Sequence, residues 1–324
     1  MVRYIAKRIL MIIPVLLAVS FIIFTLMYLA PGDPARIILG DDASEAAVAE
    51  KREELGFNDP FLVQYGRYIF NIVAHGDFGN SYATGEPVVK SLMERYPVTI
   101  MLATCCMVMM ILMGLPIGII SAVKQYSLVD NVSVTIGLVA VSMPNFWLGL
   151  MLILIFSLNL HWLPASGFYG WKYWILPAAT VGFSNAASLL RTTRSAILEC
   201  IRQDYVDTAR AKGQNEWNTI MHHVLGNAWI PILTVIGMTF GRLLGGAIIS
   251  EQIFSIPGLG KLLIDSINMR DYPMVRGGVL LLACTFSVMN LVVDILYSFI
   301  DPRLKAQYAI KKRPGLRMLG KGVR

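Results

Sequence analysis

Charged residues are scarce in this chain. Asp, Glu, Lys and Arg make up 15% of its 324 residues, while 56% are hydrophobic and the mean hydropathy is +0.60. A soluble protein normally carries about 25% charged residues. The missing charge is concentrated in long uncharged runs, which indicates a polytopic membrane protein rather than a soluble one.

Recognisable chemical motifs are also lacking. The adjacent His222 and His223 diverge by about 100° on a helix, so they cannot both face one metal ion. The segment 258–261 ends in Gly-Lys without the rest of a phosphate-binding loop. The four cysteines show no metal-ligand spacing and are interpreted as small packing residues: Cys105, Cys106, Cys200 and Cys284. We therefore expect no catalytic residues, no metal site and no cofactor bound by this chain.

Six segments are apolar enough to cross a bilayer, which requires about 20 helical residues. We therefore predict an all-α fold with six transmembrane helices. The segments are 9–29, 98–123, 131–171 (a span plus a loop), 173–190, 229–250 and 277–300. Arg242 interrupts the fifth segment and Asp294 interrupts the sixth.

The distribution of Lys and Arg predicts the orientation. If each segment crosses once, placing both termini in the cytoplasm gives the inner segments more basic residues, as the positive-inside rule requires. Arg3, Lys7 and Arg8 precede the first segment, and a basic tail follows the sixth. The net charge of +7 is therefore attributed to topology and not to nucleic-acid binding. The tail could also contact anionic lipid, and the first segment is interpreted as a retained anchor rather than a cleaved signal.

The predicted spans divide the chain into four parts. Residues 1–30 contain the N-terminus and the first span, and residues 31–95 form a helical segment outside the cell membrane. Residues 96–303 hold five spans and a cytoplasmic loop at 191–227, and residues 304–324 form the tail. In the external segment, residues 42–45 are expected to begin one helix that ends near Leu55 and Gly56, and Asp59-Pro60 is expected to begin another, since Pro suits the first helical turn. About 65 residues can form a small packing element there, but not an enzyme domain.

Small residues recur at helical spacing in two spans. Gly237, Gly241 and Gly245 lie on one face of the fifth span, and Gly114 and Gly118 lie in the second. Such residues allow helices to approach closely in lipid. The first set could instead line a passage, where missing side chains leave room for cargo.

Charges within the predicted spans require partners or a polar cavity. Arg242 could bind the carboxylate of a peptide-like cargo, because guanidinium binds carboxylates at two points. Alternatively it could pair with Glu251 or extend to the membrane surface. Asp294 is interpreted as an anchor at the helix end near the inner surface, or as a partner of Arg191 or Arg303, rather than as part of a proton relay.

The loop at 191–227 contains a short polar helix between two apolar spans. Asp207 and Arg210 lie three residues apart and can pair on one helix face, and Gly213 is expected to end the helix. Its small residues could pack into a groove on another protein. The candidate coupling residues are Asp204, Tyr205, Asp207, Thr208, Ala209, Arg210, Ala211, Lys212 and Gly213.

This loop resembles the signature of permease subunits of binding-protein-dependent ABC importers, which is Glu-Ala-Ala, three residues, then Gly. Here it is Asp207-Thr208-Ala209, three residues, then Gly213, and of the later Ile-x-Leu-Pro element only Leu225 is retained. The sequence Thr-Ala-Arg-Ala-Lys-Gly at 208–213 is similar to the oligopeptide, dipeptide, glutathione and nickel branch. Further similar segments are 29–34, 76–81, 254–260, 270–273, 294–297 and 301–303.

The resemblance implies the type I ABC importer permease fold in the cytoplasmic membrane. It also implies a second, similar permease, two ATPase subunits that hold ATP and Mg, and an extracytoplasmic binding protein. The implied cargo is a dipeptide or oligopeptide, with glutathione or a nickel chelate as alternatives. A secondary transporter would usually show an internal repeat or broken helices near mid-membrane, and no clear repeat is visible in the sequence. A membrane enzyme would need a convergent acid, base or metal set, and none is visible.

Overall fold

The computed structural model describes residues 2–40 and 42–300, and all secondary-structure elements in these ranges are helices. The predicted tail at 304–324 and the segment 301–303 lie outside the described residues. The all-α prediction is confirmed for the described part of the chain. In chain order the α-helices are α1 (Val2–Leu29), α2 (Pro34–Leu39), α3 (Glu45–Glu54), α4 (Phe61–His75), α5 (Val88–Val123), α6 (Leu128–Ser142), α7 (Asn145–Leu152), α8 (Lys172–Cys200), α9 (Asp204–Ala211), α10 (Glu216–Asn218), α11 (Leu225–Gly246), α12 (Ile248–Ile253), α13 (Leu259–Asn268) and α14 (Tyr272–Ile300). Two π-helices, Ile153–Asn159 and Thr219–Val224, continue α7 and precede α11.

Residues 30–40 and 42–87 form a helical cap between α1 and α5. Ser44 begins α3 by accepting a hydrogen bond from Ala47 N, and α4 begins immediately after Pro60, as the sequence predicts. Helix α4 packs on α1 through edge-to-face aromatic pairs, with ring centroids 5.3 Å apart for Phe21 and Tyr65. The cap is therefore fixed to the end of the first helix by apolar contacts.

Helices α5 and α8 form the centre of the bundle, and their close packing depends on glycine. A Cβ at Gly114 would lie 2.6 Å from the backbone oxygen of Ala186, and one at Gly118 would lie 2.7 Å from Cβ of Thr193. The predicted role of these two glycines in helix packing is thus confirmed. Gly182 of α8 makes the reciprocal close approach, to Cβ of Met109 at 2.9 Å.

The membrane spans are borne out in part. In the described ranges four helices are long and apolar enough to cross a membrane: Arg8–Leu29, Val88–Val123, Glu216–Gly245 and Tyr272–Ile295. The third predicted segment is a helix pair, Leu128–Ser142 and Asn145–Asn159, bent by 104°. The bend falls before Pro144, whose ring disfavours a helical conformation at Met143.

The fourth predicted span lies in α8, which has 29 residues but does not reach the apolar composition of the other spans. The reason is its position. Many of its residues are buried by neighbouring helices, including Thr180, Gly182 and Thr193. Small and polar side chains are suited to such helix contacts, so α8 needs less apolar surface than a helix at the edge of the bundle.

Candidate coupling helix and membrane path

The polar segment at 204–213 forms a separate short helix, α9, as the sequence predicts. Asp204 and Asp207 lie in its first turn, where negative charge interacts favourably with the helix dipole. Gly213 adopts a left-handed conformation with φ of +79°, and its amide donates to Arg210 O at 2.9 Å. A residue with a Cβ would be strained at this position.

The inner face of α9 packs against its own chain. Val206 is completely buried and Ala209 is 6% exposed, at the i and i+3 positions of one face. Val206 belongs to an apolar cluster with Ile197 of α8 and Val224, which lies just before α11. Ala209 therefore packs against its own chain, because tertiary packing turns it inward, and its contact with another protein stays a prediction.

The outer face of α9 is exposed and polar. Arg210 pairs with Asp207 at 3.4 Å, as predicted, and with Glu216 at 2.7 Å, which connects α9 to α10. Nε2 of His223 lies 2.8 Å from Oε1 of Gln214 and closes the far end of the loop. The other exposed candidate residues are Asp204, Tyr205, Thr208, Ala211, Lys212 and Gly213. This surface remains available for a second protein.

An ion pair that the sequence analysis missed joins the bundle near this loop. Asp130 is 2% exposed and accepts two hydrogen bonds of 2.7 Å from Arg194. Ser121 Oγ and Tyr126 N also donate to the same carboxylate, at 2.5 and 2.9 Å. The pair therefore links the end of α5 and the start of α6 to α8. A single acid before an apolar run is common at helix N-termini, so the sequence carried no signal for this pairing.

The three glycines of α11 have different surroundings. A Cβ at Gly237 would lie 2.5 Å from Val293 of α14, and one at Gly241 would lie 3.4 Å from Phe286. At Gly245 a Cβ would have no neighbour within 4 Å. The first two glycines thus lie at a helix contact, and the third lies next to open space.

Arg242 is exposed on the same helix, and its Nη2 donates to Thr239 Oγ1 at 3.0 Å. The alternative that it pairs with Glu251 is wrong. Glu251 is completely buried and accepts from Thr99 Oγ1 at 2.7 Å and from Lys261 N at 2.9 Å. Its carboxylate therefore binds the N-terminus of α13, where backbone amides lack helical partners.

Asp294 also has a different partner from the one expected. Its Oδ2 lies 2.9 Å from Nη1 of Arg8, which ties α14 to α1. Arg191 is not its partner, and Arg303 lies outside the described residues. The interpretation of Asp294 as an anchor at a helix contact is retained, with Arg8 in place of Arg191 or Arg303.

On the cap side, Asp271 joins two segments that are distant in sequence. Its carboxylate accepts from Ser81 Oγ and, at 3.1 Å, from Tyr82 N. Ser81 and Asp271 lie in two of the segments that resemble the family, 76–81 and 270–273. Tyr82 immediately follows the first of them. Residues 2–40 and 42–300 contain no group of three His, Cys, Asp or Glu side chains that could hold a metal ion.

Comparison with known proteins identifies the family. Residues 114–306 match the family model described as "Binding-protein-dependent transport system inner membrane component", and residues 1–103 match its N-terminal companion model. The chain belongs to this permease family. The predicted resemblance and the location in the inner membrane are confirmed, and the chain is a permease component of a binding-protein-dependent ABC importer.

Several curated relatives are similar over nearly their full lengths. The permease is 42% identical to the glutathione transport system permease protein GsiC of Escherichia coli K12, over 94% of this chain and 99% of the relative. It is also 42% identical to the dipeptide transport system permease protein DppB of Alkalihalophilus pseudofirmus, over 94% and 100%. An inward-facing structure of the MetNI methionine ABC transporter matches with a TM-score of 0.58 at 17% identity, over 67% of this permease and 99% of that chain. The last match supports the fold alone.

Proposed function

We propose that this permease forms half of the translocation path of an ATP-driven importer for dipeptides or oligopeptides. One observation carries the proposal: α9 has its inner face fixed to the bundle and its outer face exposed. A force applied to that face would be transmitted to α8 and α11, because the loop and the bundle share one apolar cluster. The chain itself needs no bond chemistry, so ATP and Mg belong to two separate ATPase subunits.

The proposed topology has six spans with both termini in the cytoplasm. The bent pair α6 and α7 is assigned as the third span and α8 as the fourth. The lower hydropathy of α8 is compatible with a span because neighbouring helices bury many of its small and polar residues. With this topology α9 faces the cytoplasm and the cap faces outward, where the binding protein would dock.

The proposed path runs along an exposed stripe of α11. The stripe consists of Met238, Arg242 and Gly245, at intervals of four and three residues. These intervals place the side chains on one helix face. In a complex with a second, similar permease, this face would line the space between the two chains. Arg242 is then placed to bind a cargo carboxylate.

A peptide is proposed as the cargo because one relative is named a dipeptide permease and another a glutathione permease. Glutathione is itself a small peptide with free carboxylates, so it is the second candidate, and a nickel chelate is the third. The alternative function of a different class is a secondary transporter, which would move its cargo without ATPase subunits.

Reconstitution of the whole importer in lipid vesicles tests the proposal. ATP hydrolysis and uptake should be measured with the binding protein and alanyl-alanine, glutathione or a nickel chelate. We expect peptide uptake that requires ATP, with the greatest stimulation of hydrolysis by the dipeptide. Uptake without ATP would reject the importer mechanism, and stimulation by the nickel chelate alone would reject the peptide cargo.

A further inference from the structure

Two adjoining cavities lie between the cap and the ends of α1 and α14. Their volumes are about 340 and 580 Å³. Both volumes are within the range of ligand pockets, which is about 300–1,000 Å³. The two cavities share five of their lining residues: Phe24, Phe57, Gln64, Tyr82 and Arg276. We call this space the cap cavity.

Arg276 contributes a half-buried positive charge to the cap cavity. Its guanidinium carbon lies 4.9 Å from the ring centre of Phe24 and 5.1 Å from that of Tyr68. Its Nε donates to Tyr272 O at 3.3 Å. No carboxylate lies within ion-pair distance of Arg276 in residues 2–40 and 42–300, whereas Arg52 on the cavity wall is paired with Asp33 at 3.0 Å. The charge of Arg276 is therefore not neutralised by the described part of the chain.

The ring contacts occupy the face of the guanidinium. Of its N–H edge, Nε is bonded to Tyr272 O, and a side-chain hydrogen bond joins Arg276 to Tyr82, so the rest of the edge is left for another ligand. Rings interact with the guanidinium face, whereas its N–H groups point outward in the plane and suit the two oxygens of a carboxylate or phosphate. Burial raises the pKa of Tyr68 to about 12 and also raises the pKa of Tyr82, so both hydroxyls are protonated at neutral pH. The aromatic wall is thus neutral and does not compete as an anion.

A purely structural role for Arg276 is the alternative, since it contacts both α1 and the cap. That role would explain the ring contacts but not the adjoining space or the missing counter-ion. Polar groups also remain unused at the site. Tyr272 lines the smaller cavity at 6% exposure, and its hydroxyl and that of Tyr68 have no hydrogen-bond partner in the described ranges. Buried polar groups normally have partners.

We propose that the cap cavity binds an oxyanion, which Arg276 holds at two points with its N–H edge. Two sources have the required chemistry: the phosphate of a membrane lipid and the carboxylate of a small peptide. Helix α1 has an exposed apolar surface that includes Leu26 and Leu29, so lipid can reach this edge of the protein. The site is separate from α9 and from the α11 stripe, and its test does not depend on transport.

The test measures binding to the purified importer complex. Native mass spectrometry detects phosphatidylglycerol against phosphatidylcholine, and thermal shifts detect inorganic phosphate and alanyl-alanine. Arg276→Gln should weaken binding about tenfold or more, because a hydrogen bond to a charged group contributes about 1.5–3 kcal/mol. Binding of phosphatidylglycerol alone indicates a lipid source, and binding of a soluble probe indicates a soluble source.

Arg95→Gln is the matched control, because Arg95 is exposed and does not line either cavity. It should bind every probe as the wild type does. If Arg276→Gln does not assemble, Arg276→Lys decides the question: it keeps the charge but loses the two-point geometry, so binding should weaken while assembly is retained. Equal binding by wild type and variant, or the absence of saturable binding to the wild type, overturns the proposal.

Discussion

Arg194 binds both carboxylate oxygens of Asp130, from Nε to Oδ1 and from Nη2 to Oδ2, at 2.7 Å each. Arg194 lies on α8 shortly before the loop that carries α9, and Asp130 lies in the first turn of α6. The pair therefore holds three helices together beside the proposed coupling surface. Its two-point geometry distinguishes it from the exposed ion pairs of the cap.

Asp130→Asn should destabilise the complex by about 3 kcal/mol, because removing one member of a buried ion pair leaves the other charge unpaired. The thermal midpoint of the purified complex measures this loss. Arg67→Gln, which breaks an exposed pair with Asp59 in the cap, is the control and should cost about 1 kcal/mol or less. Adding Arg194→Gln to Asp130→Asn should recover part of the loss; an additive loss in the double variant would contradict the direct pairing.

The buried and the exposed face of α9 predict different effects of an alanine-to-glutamate substitution. Ala209→Glu places a charge in the buried face and should reduce assembly, since an unpaired buried charge is costly. Ala211→Glu changes the exposed face, so assembly should be normal while transport-coupled ATP hydrolysis falls. Size-exclusion chromatography and ATPase assays of the two variants separate these effects. Normal coupling in assembled Ala211→Glu would argue against the proposed ATPase contact.

The glycines of α11 give a matched pair of variants. Gly237→Ala should cost about 1–3 kcal/mol, because its Cβ would overlap Val293 in a packed contact. Gly245→Ala meets open space and should be neutral, or stabilising by up to about 1 kcal/mol through higher helix propensity. Thermal midpoints of the two variants compare these sites directly. The same loss at both positions would show that Gly245 is also enclosed in the complex.

Arg242→Gln tests whether the α11 stripe binds cargo. We expect normal assembly and a higher dipeptide concentration for half-maximal stimulation of ATP hydrolysis, because the variant loses the two-point carboxylate contact. Arg242→Lys keeps the charge, so its dipeptide concentration for half-maximal stimulation should lie between those of Arg242→Gln and the wild type. If Arg242→Gln fails to assemble, or its dipeptide response is unchanged, the cargo role is wrong.

Glu251 predicts a pH-dependent difference in stability. Burial raises the pKa of its carboxyl above the ordinary value of 4.5, although donors from Thr99, Lys261 N and Gly260 N oppose this shift. Between the ordinary and the raised pKa the folded state retains the proton that the unfolded state has lost, so stability falls as pH rises through this interval.

The neutral side chain of Glu251→Gln has no such dependence. The stability advantage of the wild type over this variant should therefore shrink as the pH rises above 4.5, as measured by thermal midpoints of the two complexes. Glu53→Gln changes an exposed carboxylate and serves as the control. An advantage that is constant or grows with pH would contradict the prediction.

Local patterns in the sequence were sufficient for much of this protein. Apolar runs located four spans and the bent pair, Pro60 marked a helix start, and Gly213 marked the end of α9, because these effects act within a few residues of the chain. Motif spacing in the loop was sufficient for the family. The bend at Pro144 has a local cause, although the sequence alone did not give its angle.

Tertiary structure decided which faces and charges meet. Asp130 and Arg194 are 64 residues apart, Thr99 and Glu251 152, and Ser81 and Asp271 190. No periodicity in the sequence encodes such pairings, because they arise only when separate helices pack. The same packing turned Ala209 inward, gave Asp294 Arg8 as its partner, and placed Arg276 beside a cavity. The sequence by itself determined the family and the helices, and the packing of those helices determined the sites.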